Sequence, residues 1–359
     1  MRKTVLLMIV CLLLVGQASA QEGAAPVTSA SLPVSIRLEG VLPVYQDVNR
    51  CSAAALTIQL SYFLGERPYD ATIRALNPHT EDVSVRLEEM ARHAEEAYGL
   101  RSLIRYGGTV DMLKALLNAG VPVLVENVYY DGAGGFNDWL SHNRVVTGYD
   151  DAQQVILTFD PLLGHGPDDT GRPIPYADVD DRWRPFNRDM LILYRPEQEE
   201  AVQAALGPHW DETYNLEWAL SLSEQELAGD SPDTFSLFNL GETLVRLGRY
   251  EEAEDAFDRA RAIGLPWRMM WYMFGPFEAY LELGRYDDVI ALAREVIAGT
   301  PGVEEIYYYA ARAYEAQGDL LRAEANYEVA VWRNSTFTEA AQALARLRGA
   351  ATPTPAAGG

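Results

Sequence analysis

The 359 residues carry 52 acidic against 29 basic side chains, a net charge of −23, which repels phosphate backbones and anionic membrane surfaces and argues against a nucleic-acid partner. No acidic block stands apart as a tail, so the charge is expected to spread over solvated helix faces. With 48% hydrophobic residues the chain can bury real cores, and its length exceeds what one core usually serves, so two domains are expected.

Arg2 and Lys3, an apolar run from Val5 to Val15, and Ala18-Ser19-Ala20 before Gln21 follow the order of a secretory signal (1–20), which predicts export with cleavage after Ala20. That run is too short to span a bilayer, and no later stretch of about eighteen apolar residues follows, so no transmembrane segment is expected in the mature chain. Cys11 lies inside the signal and Cys51 is the only other cysteine, which excludes an internal disulfide after processing. A lone thiol in an exported protein is a reactive group, an intermolecular bridge or a buried bystander. Residues 21–35, rich in Ala, Pro, Ser and Thr, read as a flexible lead-in.

Between Ile36 and Pro196, helical patterns come first, at Ser52 to Gly65, Val83 to Tyr98 and Thr109 to Gly120. Apolar bursts at Val121 to Val128, Asn143 to Tyr149, Val155 to Phe159 and Met190 to Tyr194 then read as strands. Helices followed by an antiparallel meander predict an α+β domain over 36–196.

After Pro196 charged helices repeat. Gly248-Arg249-Tyr250-Glu251-Glu252-Ala253 recurs at Gly284-Arg285-Tyr286-Asp287-Asp288-Val289 and, more loosely, at Gly318-Asp319-Leu320-Leu321-Arg322-Ala323, with spacings of 36 and 34 residues. Ala253, Phe257 and Ala260 share one helix face, as do Ala323, Tyr327 and Ala330; the middle unit has Val289, Ala293 and Val296 instead. Glycine permits the turn between paired helices, and an aromatic fills the gap between small residues. The pattern resembles the tetratricopeptide repeat over Ser231 to Leu347, with a degenerate half-repeat at Asn215 to Pro232. An all-α repeat solenoid is therefore expected over 205–348, with a disordered Pro, Ala and Gly tail over 349–359. Such repeats mostly bind peptides or partner proteins.

Four residues carry possible chemistry. Cys51 immediately precedes the first predicted helix, where unpaired N–H groups and the helix dipole favour a thiolate, although a cysteine on an apolar helix is more often a small core residue. His142 stands just before a strand and is placed to exchange a proton with that thiol; any single histidine is more often structural. Asp160 closes the next strand and is placed to orient the imidazole, with a turn aspartate before Pro161 as the bland alternative. Gln46 offers an amide N–H to a developing oxyanion, or is an ordinary loop glutamine. His79, His93, His165 and His209 read as structural.

Gln46 to Leu60, His142 to Asp150 and Phe159-Asp160-Pro161 resemble family thirty-nine of the cysteine peptidases, papain-like enzymes best known for removing double-glycine leaders from bacteriocin precursors. The resemblance covers about Leu42 to Pro196 and implies a papain-like fold with Gln46, Cys51, His142 and Asp160 as its site. Trp183 to Asn187 resembles the tryptophan-rich stretch of stand-alone members. Three positions depart from the family pattern: Ser52 replaces a usual glycine, Ala53 a common proline, and Asn143 an aromatic. No transporter segment or nucleotide-binding motif follows, so leader processing coupled to export is not supported.

Two functions are therefore expected to compete. One is an exported thiol peptidase acting on a peptide or protein through Cys51, His142 and Asp160, with repeats that bind a protein partner. The other is a peptidase-like fold that binds without turnover. Neither a metal nor a cofactor is expected, since Cys51 and His142 lack companion ligands at zinc-site spacing.

Overall fold

A computed structural model describes residues 32–351, apart from 78, 80, 133 and 230–232. The expected signal, residues 21–31 of the lead-in and residues 352–359 of the tail lie outside the described residues. Within them no helix is long and apolar enough to cross a membrane.

A short strand β1 (Ser35–Arg37) opens the described chain and is followed by α1 (Cys51–Leu64), α2 (Tyr69–Leu76) and α3 (Leu87–Tyr98). Next come β2 (Arg101–Arg105), α4 (Val110–Asn118), β3 (Val123–Tyr130), β4 (Trp139–Asp150), β5 (Val155–Phe159), β6 (Arg172–Pro175), α5 (Tyr176–Trp183) and β7 (Met190–Tyr194). The strands form one sheet in the order β2-β7-β3-β4-β5-β6, with β1 paired to β4 beyond the reach of β3. Every pairing is antiparallel. This is the expected α+β architecture.

Helix α1 is buried almost all round, from Ser52 to Ser61, and packs on the sheet as a central rod. Its buried donors are satisfied: Thr57 donates to the Ala53 carbonyl at 2.7 Å, and Gln59 donates to the carbonyls of Pro122 and Leu191 at 3.0 and 2.9 Å. Gly65 ends the helix in the left-handed conformation, φ 72°, that glycine adopts without strain.

The structure adds elements that the hydrophobic pattern missed. Strands β2 and β6 form the two ends of the sheet, where half-solvated edges need neither alternation nor freedom from proline; β6 reads Arg-Pro-Ile-Pro. Helices α2 and α5 were likewise unread, and α3 starts at Leu87, not Val83, because Glu89 folds back to accept from the Arg86 N–H at 3.1 Å. Ser35, in the stretch read as lead-in, already pairs with Asp150.

The remainder is helical: α6 (Glu199–Leu206), α7 (Glu212–Leu227), α8 (Thr234–Arg246), α9 (Tyr250–Ile263), α10 (Gly275–Glu282), α11 (Tyr286–Gly299), α12 (Glu304–Ala316), α13 (Leu320–Arg333) and α14 (Thr338–Ala351). The last helix thus runs past Gly349, where the tail was expected to begin. Helices pair as α8/α9, α10/α11 and α12/α13, as the repeat predicts, and Ala253, Phe257, Ala260, Ala323, Tyr327 and Ala330 are all fully buried. Gly241 and Gly275 have no side chain because a Cβ there would come within 2.5 and 2.6 Å of the Phe257 ring.

The helical part does not trail from the sheet; it folds back over it. Val128, Trp139 and Phe186 share a continuous buried cluster with Phe238, Met270 and Phe274 of the repeats. Trp139 stacks on Phe186 at 5.2 Å and lies 5.9 Å from Tyr272. Polar bonds reinforce the seam: Asn187 donates to Thr243 Oγ1 at 2.8 Å, and Asn215 exchanges two 2.9 Å bonds with the backbone of Tyr106.

Candidate active site

Cys51 is the first residue of α1, not the residue before it, and is half-buried. No side chain caps this end of the helix, so its first N–H groups and its dipole face the sulfur region. His142 lies inside β4, three residues from its start, and is 2% exposed. The hairpin register explains what it meets. Val145 pairs with Phe159, so the next rung sets Arg144 opposite Asp160, with His142 two residues along on the same face.

His142 Nε2 accordingly lies 2.8 Å from Asp160 Oδ1, which also accepts from the N–H groups of Leu162 and Leu163 at 2.9 and 2.8 Å. Arg144 Nε stands 2.7 Å from the other carboxylate oxygen, forming an ion pair without hydrogen-bond alignment. With Nε2 on Asp160, Nδ1 is the other ring nitrogen, and His142 and Cys51 are close enough for each to shift the titration of the other.

The electrostatics follow from this chain of contacts. Burial opposes the charge on Asp160, but His142, Arg144 and the backbone donors hold its carboxyl well below the usual carboxylate range. Burial likewise opposes the imidazolium, yet bonds and charges from Asp160 and Cys51 raise His142 to about 9. Burial pushes the Cys51 thiol up; His142 and then Asn143 outweigh it, and the net result is a lowered thiol pKa. A thiolate beside an imidazolium, oriented by a buried carboxylate, is the arrangement needed for nucleophilic attack followed by proton return to a leaving group.

Residues 38–189 match the sequence pattern of the Peptidase_C39 like family, and residues 234–264 match a tetratricopeptide repeat. The sheet-bearing domain is C39-like. Among solved structures, the chain is similar to a putative C39-like peptidase from Bacillus anthracis, at 15% identity and TM-score 0.34 over 45% of this chain and 98% of that one. It is also similar to a double glycine motif protease from an AMS/PCAT transporter in complex with the leader peptide, at 19% identity and TM-score 0.31 over 44% and 94%. MamA from Desulfovibrio magneticus RS-1 matches at 19% identity and TM-score 0.35, over 39% and 77%. No curated protein matches the chain.

Two departures from the C39 pattern turn out to touch. Asn143 Nδ2 donates to Ser52 Oγ at 3.0 Å and lies 3.8 Å from Cys51 Sγ. Ser52 thus engages Asn143. Replacing Asn143 by alanine is expected to raise the pH of half-maximal Cys51 alkylation, by less than removal of His142 does, because one hydrogen bond to the sulfur is lost while the ion pair stays. An unmoved alkylation curve would remove Asn143 from the site.

Gln46 of the C39-like domain is held beside Asp160 by a 3.0 Å bond from its backbone N–H to the Pro161 carbonyl. Its amide oxygen is buried without a hydrogen-bond partner. His165, read as structural, is fully buried with Nε2 3.1 Å from the Val44 carbonyl. Sequence reasoning missed Arg144, although a charge two residues beyond a histidine in an apolar strand was a usable signal.

It also missed the roof of the site. A cavity of about 250 Å³ opens at Ser52, the residue after the nucleophile, lined on the C39-like side by Ser52, Glu126 and Ser141 and on the repeat side by Glu242, Arg246 and Tyr272. Burial, together with the charge of Cys51, pushes Glu126 up to about 8. No local pattern announces such a cavity, because half its wall is brought from more than a hundred residues away.

Proposed function

We propose that the protein is an exported thiol peptidase in which Cys51 attacks a peptide carbonyl, His142 takes the thiol proton and returns it to the leaving amine, and Asp160 orients the ring. The observation that carries this reading is the buried His142–Asp160 pair, 2.8 Å apart, close enough to Cys51 to depress its thiol. Gln46 is the side-chain donor proposed for the oxyanion, beside the backbone N–H groups at the start of α1. The cavity under the repeats suits an extended peptide, so the repeats serve as part of the substrate-binding surface. A binding protein without turnover is the second reading, favoured by Ser52 beside the nucleophile where the C39 pattern has glycine.

Iodoacetamide labelling across pH separates the two. Cys51 is expected to react well below the pH at which a free thiol ionises, and His142→Ala is expected to shift that limb upward. Peptide hydrolysis should follow a bell, rising with thiolate formation and failing above about pH 9 as His142 loses its proton. Labelling with the pH dependence of an ordinary thiol, unchanged by His142→Ala, would leave only the binding protein.

A further inference from the structure

Away from the nucleophile, the seam between the C39-like domain and the repeats holds a second concentration of charge. Glu89 in the first turn of α3 meets Glu304 and Glu305 at the start of α12, and one oxygen from each lies within 4.8 Å of the others. All three are buried, at 3%, 1% and 1% exposure, and the equally buried Asp82 is close enough to add its charge. One guanidinium answers them: Arg86 Nε is 3.2 Å from Glu305 Oε1 and 3.6 Å from Glu89 Oε2. Asn334 donates to Glu89 and Glu304 at 2.9 and 2.7 Å. That leaves Glu304 Oε2 and both oxygens of Glu305 buried without a hydrogen bond. Buried carboxylates in this state are costly unless further positive charge reaches them.

We propose that Glu89, Glu304 and Glu305 form a calcium site that ties α3 of the C39-like domain to α12 of the repeats. The donors are all carboxylate oxygens, a hard set without the nitrogen or sulfur that zinc prefers. Oxygens on opposite sides of one calcium ion, each about 2.3–2.6 Å from it, span roughly the separation found here, whereas magnesium at about 2.0–2.1 Å demands a tighter cage and retains several waters. Glu304 Oε2 and Glu305 Oε2 are the ligand atoms with neither a hydrogen bond nor an ion pair, while Glu305 Oε1 faces Arg86. Because the ligands come from both sides of the seam, occupancy stabilises the packing of the repeats on the C39-like domain and with it the cavity at Ser52.

The test is thermal unfolding of the full mature chain in chelator, in calcium and in magnesium, with equilibrium dialysis to count retained ions. Calcium is expected to raise Tm by several degrees in a saturable way with one ion retained per chain, and magnesium to do so much less. Glu305→Gln, which keeps the shape and removes the charge, is expected to lose both the calcium-dependent rise and the retained ion. Should that variant fail to fold, the dialysis count on the unaltered chain decides alone. No retained calcium, with the same Tm in chelator and calcium, would overturn the site and assign neutralisation of the cluster to protons. Neither result depends on Cys51, so the calcium site and the peptidase reading fail separately.

Discussion

Asp160→Asn is expected to lower peptide hydrolysis on the order of 10³–10⁴-fold and to move the alkylation limb of Cys51 to higher pH. The substitution preserves shape, so its effect is electrostatic. With the amide oxygen kept where Oδ1 now accepts from His142, Leu162 and Leu163, the new NH₂ points at Arg144 Nε, 2.7 Å away in the native protein, and donor faces donor. Flipped, the NH₂ meets three donors instead. Either way the imidazolium loses its counter-charge, His142 falls from about 9, and the thiolate loses the cation that holds it. Leaving Arg144 buried beside a neutral amide adds a stability cost of about 3–5 kcal/mol, measurable by urea unfolding.

Linkage adds a pH signature. Asp160, depressed in the fold, contributes stability above its unfolded pKa of about 3.9, and that contribution is lost as pH falls through its folded value. His142, raised in the fold, contributes below about 6.5 and loses that contribution as pH rises through about 9. The native protein should therefore be most stable between these limits, and the Asp160→Asn variant should lose most of the difference. A variant with unchanged labelling and unfolding profiles at all pH values would show that Asp160 does not govern the pair.

Truncation after Pro196 is the second large effect: the sheet-bearing fragment alone is expected to aggregate or to lose fixed tertiary packing. Its surface would expose Val128, Trp139 and Phe186, all buried against the repeats in the whole chain. An exposed contiguous apolar patch of that kind is an aggregation liability. The cut would also strip Tyr106 of both bonds to Asn215 and remove one wall of the cavity at Ser52. Size-exclusion chromatography and near-UV circular dichroism check this directly. A monomeric fragment with a native aromatic spectrum and unchanged Cys51 reactivity would show the repeats to be an independent appendage.

Much of the fold was readable because its signals are local. The run from Ser52 to Gly65 is mostly apolar with only short polar side chains and one glutamine, as suits a central helix, and the glycine anchors recur because each helix pair needs the same turn. Besides the three-residue β1, the strands that escaped are the edge strands β2 and β6, where burial on one side only weakens the alternation that marks a strand. Cys51, His142 and Asp160 were legible as types at suggestive places, but nothing local showed that one hairpin register brings Arg144 opposite Asp160 and His142 beside it.

The amino-acid order by itself determined the helical and strand periodicities, the repeat spacing and the resemblance of its motifs to cysteine peptidases, since each depends on neighbours within a few residues or on a pattern copied along the chain. Only the tertiary structure decided that Asn143 bonds Ser52 beside the sulfur, that the repeats wall the cavity at Ser52, and that Glu89 meets Glu304 and Glu305. Those contacts join residues about 90 to more than 200 positions apart. They arise from packing one apolar face on another, a choice made by the whole folded surface and not by any segment of it.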